Sequence, residues 1–417
     1  MRFLFVLVFA ALCTAQTPLS LRHQAQALKG QGDAAGALAL LESAASTEPS
    51  DPVLRDEIGF LQAVLGRQSE AIDAFQTAIR LRPSYAPAHY HLGVALWLRN
   101  QQDPAIAALR EAAKLDPRNP EYRFRLASAL YETRNDAAAA IEAKAGTTAA
   151  PAMAELWNLA GMIAQRHGQL PQARQFYQKA VTLKPAEHAW RSSLGFALVD
   201  LGLAEEGLAQ FREILKRDPA NRTAQINIGY TYLHTGDYEK ALAGFRRLAE
   251  EHPSDAVIRY DLGLALKQLD QLDAARQAFE EAIRLDPAMA EAHYTLGITC
   301  WQQGDFDNAA DAMRHAIAIR PDYAEAHYML GTALKQKGDL NEAARALEEA
   351  IRLNPDTPGP FNTLAQIRQI QGDREAARKL FAQASEVKKK LDSSQAKRLG
   401  AGSAAMAPAT RQILPPR

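Results

Sequence analysis

Three histidines, His89, His293 and His327, each stand in an Ala-His-Tyr triplet, and His91 follows two residues after the first. Imidazole is the commonest metal ligand and the usual general base near neutral pH, so zinc binding or acid–base catalysis is the first chemistry they suggest. Cysteine adds little to either. Cys13 lies in a leader-like segment, and Cys300 lies in the helical run 296–301, where it reads as a small buried hydrophobe rather than a reactive thiol. No HExxH, GxSxG, Walker or GxGxxG pattern occurs in the chain. Basic and acidic residues both number 48, which leaves no basic footprint for nucleic acid and no acidic tail for a basic partner. The expectation is a chain without catalytic residues, cofactor or metal. Asn221-Arg222-Thr223 is a formal glycosylation sequon, with meaning only in a eukaryotic source.

The elements that hold these residues follow from one spacing. Ten prolines, from Pro49 to Pro355, recur at intervals of 34 residues. Twenty-four residues before each stands Gly (59, 93, 161, 195, 229, 263, 297 and 331) or Ala (25 and 127), and twelve further on stands Ala, with Gly207 the exception. An eleventh copy keeps Ala365, Ala377 and Phe381 in phase but has Lys389 in place of proline, as a terminal capping repeat would. The windows run 18–51, 52–85, 86–119, 120–153, 154–187, 188–221, 222–255, 256–289, 290–323, 324–357 and 358–391.

Each window splits into two amphipathic helices, A and B, with apolar residues three and four apart. The break is often Gly-Asp, at 32–33, 236–237, 304–305, 338–339 and 372–373. Gly can close helix A in the left-handed conformation, and Asp can cap the first amides of helix B. A small residue at window position 8 and Ala at position 20 let the two helices approach closely. Large residues at position 24 (Phe75, Tyr177, Phe211, Phe245, Phe279, Phe381) then fill the space beyond, and proline stops helix B. Window 120–153 is the weak copy, with Ala143 at position 24 and Gly146 soon after. It predicts a thin-cored, locally mobile joint.

In this register the ninth window, with Ala290, Tyr294, Leu296, Gly297, Gly304, Asp305, Ala309, Met313, Ala316 and Pro321, resembles the tetratricopeptide repeat (TPR), and the likeness extends over most of the chain. The resemblance implies an all-α, right-handed superhelical solenoid of about eleven 34-residue helix-turn-helix units. It also implies that the A helices line a concave groove, with positions 2, 5, 9, 12 and 13 facing it. Carried onto this chain, position 5 holds Tyr90, Phe124, Tyr260, Tyr294 and Tyr328, position 9 holds Phe60, Phe196 and Tyr230, and position 12 holds Trp97, Tyr131 and Trp301. Positions 5, 9 and 12 share one helix face. The implied groove is aromatic, in two clusters spanning repeats 2–4 and 6–10, and aromatic rings make natural anchors for a partner. The alternative is that individual rings pack between neighbouring A helices. The Lys, Asn and Arg set with which some TPR domains hold a C-terminal carboxylate is not reproduced. Helices packed about 8–10 Å apart do not bring equivalent histidines within the ~2 Å that zinc requires, so His89, His293 and His327 are expected to pack.

The two ends differ from the array. Arg2, the apolar run 3–12 and the small residues Cys13-Thr14-Ala15 follow the order of a secretory signal, too short to span a bilayer. Cleavage after Ala15 is expected, leaving Gln16 first and Cys300 as a lone cysteine. Acylation of Cys13 as a lipoprotein is the alternative, disfavoured by Leu12 where a small residue is wanted. Residues 393–399 predict a short solvating helix and residues 400–417 a disordered tail. The functional expectation is an exported, periplasmic or extracellular scaffold, with no transmembrane segment, that holds a protein or peptide in its groove, in envelope assembly or secretion. The alternatives are a self-associating array or a non-catalytic subunit of an envelope enzyme complex.

Overall fold

The computed structural model describes residues 17–400. The leader, Cys13 and the tail beyond residue 400 lie outside the described residues. Among the described residues there are twenty-two helices and no strand. They alternate as hairpins of an A and a B helix: α1 (Pro18–Gly30) and α2 (Ala34–Thr47), α3 (Pro52–Val64) and α4 (Gln68–Leu81), α5 (Ala86–Leu98) and α6 (Gln102–Leu115), α7 (Pro120–Glu132) and α8 (Asp136–Ala149), α9 (Ala154–Arg166) and α10 (Leu170–Leu183). The series continues with α11 (His188–Asp200) and α12 (Ala204–Arg217), α13 (Arg222–Thr235) and α14 (Tyr238–Glu251), α15 (Ala256–Gln268) and α16 (Leu272–Leu285), α17 (Ala290–Gln302) and α18 (Phe306–Ile319), α19 (Ala324–Lys337) and α20 (Leu340–Leu353), and α21 (Pro358–Ile370) and α22 (Arg374–Gly400). The chain forms two compact units, Met1–Trp190 and Arg191–Arg417, with the division inside α11.

Local chemistry sets the helix ends. Asp51, Asn119, Asn221 and Asp255 accept hydrogen bonds from the first amides of α3, α7, α13 and α15, satisfying donors that have no partner inside the helix. Between A and B, position 15 takes a positive φ in all eleven hairpins. Eight of these residues are Gly, from Gly32 to Gly372, and three are not: Asn100 (φ 59°), Arg134 (φ 62°) and Asp270 (φ 58°). Helix B is capped as expected by Asp33, Asp305 and Asp373, which accept from Gly36 N, Asn308 N and Ala376 N. Asp237 and Asp339 depart from that expectation. Neither side chain caps its helix, and their carboxylates face Lys240 at 3.2 Å and Lys337 at 3.7 Å instead.

In the eight hairpins with Gly at position 8, one close contact spans the core. A Cβ added at Gly263 would lie 2.5 Å from the Phe279 ring, and one at Gly161 would lie 2.6 Å from the Tyr177 ring. Glycine at position 8 therefore makes room for the residue at position 24. Opposite glycine, Phe75, Tyr177, Phe211, Phe245 and Phe279 are all at most 1% exposed. Opposite alanine the partner is Leu41, Ala143 or Phe381. Phe381 was expected to fill the hairpin core, yet it is 38% exposed. Its neighbour is Ala365 rather than Gly, and among the described residues no helix follows α22.

Two more differences have physical reasons. The expected thin core of window 120–153 is closed by Leu156 from the next hairpin, whose Cδ2 stands 2.7 Å from where a Gly146 Cβ would be. Residues 393–399 do not form a separate helix. They continue α22, because Lys389 leaves the backbone free to propagate where proline ends the other B helices. The pairs Glu375–Lys379 and Glu386–Lys390 support the extension at i,i+4 spacing.

Candidate partner-binding face of the A helices

In the first unit, the A helices expose an apolar set. Phe60 and Val64, one turn apart on α3, are 45% and 59% exposed, and Leu98 on α5 is 69% exposed. Val64 and Leu98 occupy position 13 of consecutive windows, so the repeat brings them to the same level of neighbouring helices. Some of the neighbouring polar groups pair with one another. Arg22 pairs with Asp51 at 2.8 Å and with Glu57 at 3.6 Å, and His91 Nδ1 donates to the buried Asp56 at 2.8 Å. Tyr90 stacks on Tyr122 with ring centres 4.9 Å apart and donates its hydroxyl to Glu121 at 3.1 Å, and Arg125 donates to the same carboxylate oxygen at 3.0 Å. Burial, helped by Glu121, holds the Tyr90 hydroxyl above the usual tyrosine range. Phe124 lies beneath the Arg125 guanidinium, and Trp97 packs on the buried cluster around Leu126 and Leu130. Tyr131 is covered by Arg166, whose guanidinium carbon lies 3.3 Å from the ring centre and which also donates to Asp136 at 2.7 Å.

The second unit uses its rings differently. Tyr230, 8% exposed, meets Phe245 edge-on and donates to Asp261 Oδ1 at 2.6 Å. Asp261 is fully buried, and its Oδ2 has no hydrogen-bond partner, nor has the Asn227 side-chain nitrogen one window earlier. Desolvation pushes the Asp261 carboxyl up to about 7, moderated by the Tyr230 hydrogen bond. Burial first, and that carboxylate second, raise the Tyr230 hydroxyl well beyond the ordinary range. Tyr260 reaches Thr295 of the next A helix at 3.3 Å, and burial pushes it up to about 12. Tyr294, 9% exposed, packs against Tyr323 with centres 4.9 Å apart. Phe196 meets Phe211 edge-on, Trp301 meets Phe306 with its indole nitrogen buried and without an acceptor, and Tyr328 touches Gly359.

The eleven aromatic positions therefore separate. Phe60 is open to solvent, Tyr230 and Tyr294 are core residues, and the others are half-buried between neighbouring helices. Val64 and Leu98 are aliphatic, so the expectation of an aromatic groove does not include them. Their position in the register was the signal that could have found them. Two cavities of about 500 Å³ each lie apart from these rings, one lined by α2, α3 and α4 and the other by α4, α5 and α6.

The histidines have structural partners. His89, His293 and His327 each place Nε2 within 2.8–3.1 Å of a proline carbonyl six residues earlier, at Pro83, Pro287 and Pro321. Arg123 and Trp157, at the same window position, donate to Pro117 and Pro151. In these five windows position 4 thus ties the inter-repeat loop to the next A helix, whereas Arg259 at the same position donates to Ala249 O instead. No His, Cys, Asp or Glu group among the described residues is arranged to hold a metal ion. Cys300 is 1% exposed, and burial raises its thiol.

Comparison with known proteins adds family and fold. The family model described as the cilia and flagella-associated protein 70 C-terminal domain matches residues 123–399. Single-repeat models, described as TPR repeat or tetratricopeptide repeat, match residues 64–98, 86–119 and 18–43. Cellulose synthase 2 operon protein C of Komagataeibacter xylinus is 36% identical over 129 residues, a stretch that is 30% of this chain and only 9% of that protein. Yeast Tom70 has a similar fold, with a TM-score of 0.50 and 16% identity, over 92% of this chain and 96% of that one. MamA is similar at a TM-score of 0.39 and 26% identity, over 40% of this chain and 97% of that one.

Proposed function

The chain belongs to the tetratricopeptide-repeat family, matched over residues 123–399, and on that premise we propose that it is a non-catalytic scaffold whose A-helix face holds a protein or peptide partner. The observation that carries this reading is the exposed apolar set Phe60, Val64 and Leu98. Three large side chains left in water on consecutive A helices offer apolar area to an apolar segment of a partner. Tyr260, Tyr294 and Trp301 serve less as an open surface, since their replacement would disturb contacts between repeats.

The test is capture from an envelope extract by the wild-type chain and by a Phe60→Ser, Val64→Ser, Leu98→Ser variant. A partner retained by the first and lost by an equally helical variant supports the reading. Identical capture by both would sink it. The leader order in residues 1–15 supports export to the envelope, where the scaffold would serve assembly or secretion. Amino-terminal sequencing of the fractionated protein should then begin at Gln16, and a chain beginning at Met1 in the cytosol would count against export. The similarity to an operon protein of cellulose synthase favours a second reading, an accessory subunit beside an envelope enzyme. Stable co-purification of a catalytic chain would distinguish it.

A further inference from the structure

In the first unit, the cleft between B helices α2 and α4, floored by α3, is a cavity of about 500 Å³, within the roughly 300–1,000 Å³ of small-molecule sites. Its floor departs from the repeat. Position 11 is Leu in six of the eleven windows, but Gln62 stands there in the second. Gln62 is 9% exposed and its Oε1 has no hydrogen-bond partner, so a side-chain oxygen is buried unsatisfied where leucine serves elsewhere. The walls are acidic. Glu42 stands on α2 and Asp73 on α4, and among the described residues neither carboxylate has a hydrogen bond or an ion pair. Glu70 faces Arg67 at 3.7 Å, and Arg55 donates to the Pro49 carbonyl at 3.5 Å rather than to a wall carboxylate. Ala45, Ile58 and Ala74 supply apolar lining. Among the described residues these carboxylates are not grouped to hold a metal ion, so the cleft suits an extended organic cation. The corresponding groove one repeat on, between α4 and α6, is an internal contrast. Its volume is similar, but Glu111 is accompanied there by Arg80 and His89, and its window has Leu96 at position 11.

We propose that this cleft binds an aliphatic diamine or polyamine, with one ammonium at Glu42, another at Asp73 and the methylene stem over Ala45, Ile58 and Ala74. Two charges joined by CH₂ groups match two carboxylates on separate helices with apolar lining in the same cleft. An ammonium carries several donors, so the one that reaches the floor donates to Gln62 Oε1 as well as to a wall carboxylate, giving the buried oxygen the partner it lacks. A monoamine would leave one carboxylate unpaired. The site is separate from the A-helix face and independent of the partner-binding reading above.

Isothermal titration calorimetry of the full chain with putrescine tests this, beside butylamine and magnesium chloride. Putrescine should bind at one site, more tightly than butylamine, and raised salt should weaken it. Magnesium ion carries the same charge and should not displace it at equal concentration. Gln62→Leu installs the residue that six windows use, so it should keep the helical circular dichroism while weakening putrescine about fivefold, the effect of one lost hydrogen bond. The pair Glu42→Gln and Asp73→Asn should weaken it about tenfold, as two exposed ion pairs are lost. Glu111→Gln, in the next groove, should leave binding unchanged. No binding of putrescine, equal displacement by magnesium, or wild-type affinity in either the Gln62 or the paired variant would each overturn the site.

Discussion

The contact at Gly263 shows how narrow the margins are inside one hairpin. Alanine would gain about 1 kcal/mol in helix propensity over glycine. Its Cβ would stand 2.5 Å from the Phe279 ring, however, so overpacking of roughly 1–3 kcal/mol should win. Gly263→Ala should therefore lower the denaturation midpoint, and Phe279→Leu in the same chain should recover part of the loss, as the natural pair Ala25 and Leu41 implies. Two single variants and the double, compared by urea unfolding, would check it. Asp261 makes a second prediction, about pH. Its folded pKa, about 7, lies above the ordinary aspartate value, so the native state binds the proton more tightly than the unfolded chain does. Stability should fall as pH rises from about 4 to about 7 and then level off, because above that range the native state must bury a charge. Asp255 and Arg222, acting from outside with opposite sign, do not cancel the burial effect. Asp261→Asn keeps an acceptor for Tyr230 and should flatten that slope in thermal melts; an unchanged slope would assign the pH dependence elsewhere.

At the level of the helical hairpin, the turn is the variable part. A left-handed conformation costs a non-glycine residue about 1–2 kcal/mol, less for Asn and Asp, whose side chains tolerate it. Arg134 is the outlier among the eleven turns. Arg134→Gly should stabilise the chain by about 1 kcal/mol, while Asn100→Gly should do less, and a urea series on both would show the order. The turn and the proline period were legible because each is a local backbone requirement repeated in register. Two features were less so. Asp237 has the same place in sequence as Asp33, but Lys240 competes for its carboxylate. Helix α22 runs on through residue 400 because the stop signal at Lys389 is missing, a consequence easier to see once the extended helix is in view.

Within each unit, a hairpin packs chiefly on its neighbours, so stability is a sum of repeat and interface contributions rather than one shared core. The buried clusters follow that logic, with separate groups around Leu41, Leu126, Phe245 and Leu347. A local lesson follows for hydrogen exchange. Gly263→Ala should accelerate amide exchange in α15, α16 and the adjacent helices while leaving α1–α6 unchanged. Uniform acceleration throughout the chain would contradict nearest-neighbour stability. The same linear design explains why a binding surface can be read repeat by repeat. An exposed pair such as Val64 and Leu98 arises from one window position repeated, without a remote loop to complete it.

By itself the sequence determined the helical hairpin, its period and the glycine that admits each position-24 side chain, because these depend on backbone geometry and volume within 34 residues. Tertiary structure decided the use of each ring. Tyr230 is buried because Asp261, on the next A helix, accepts its hydroxyl, whereas Phe60 is open. Lys335 finds an acceptor because the next A helix presents Gln366 to it. A window position is a property of one repeat; the partner that a side chain finds there belongs to the next repeat, and only packing brings the two together.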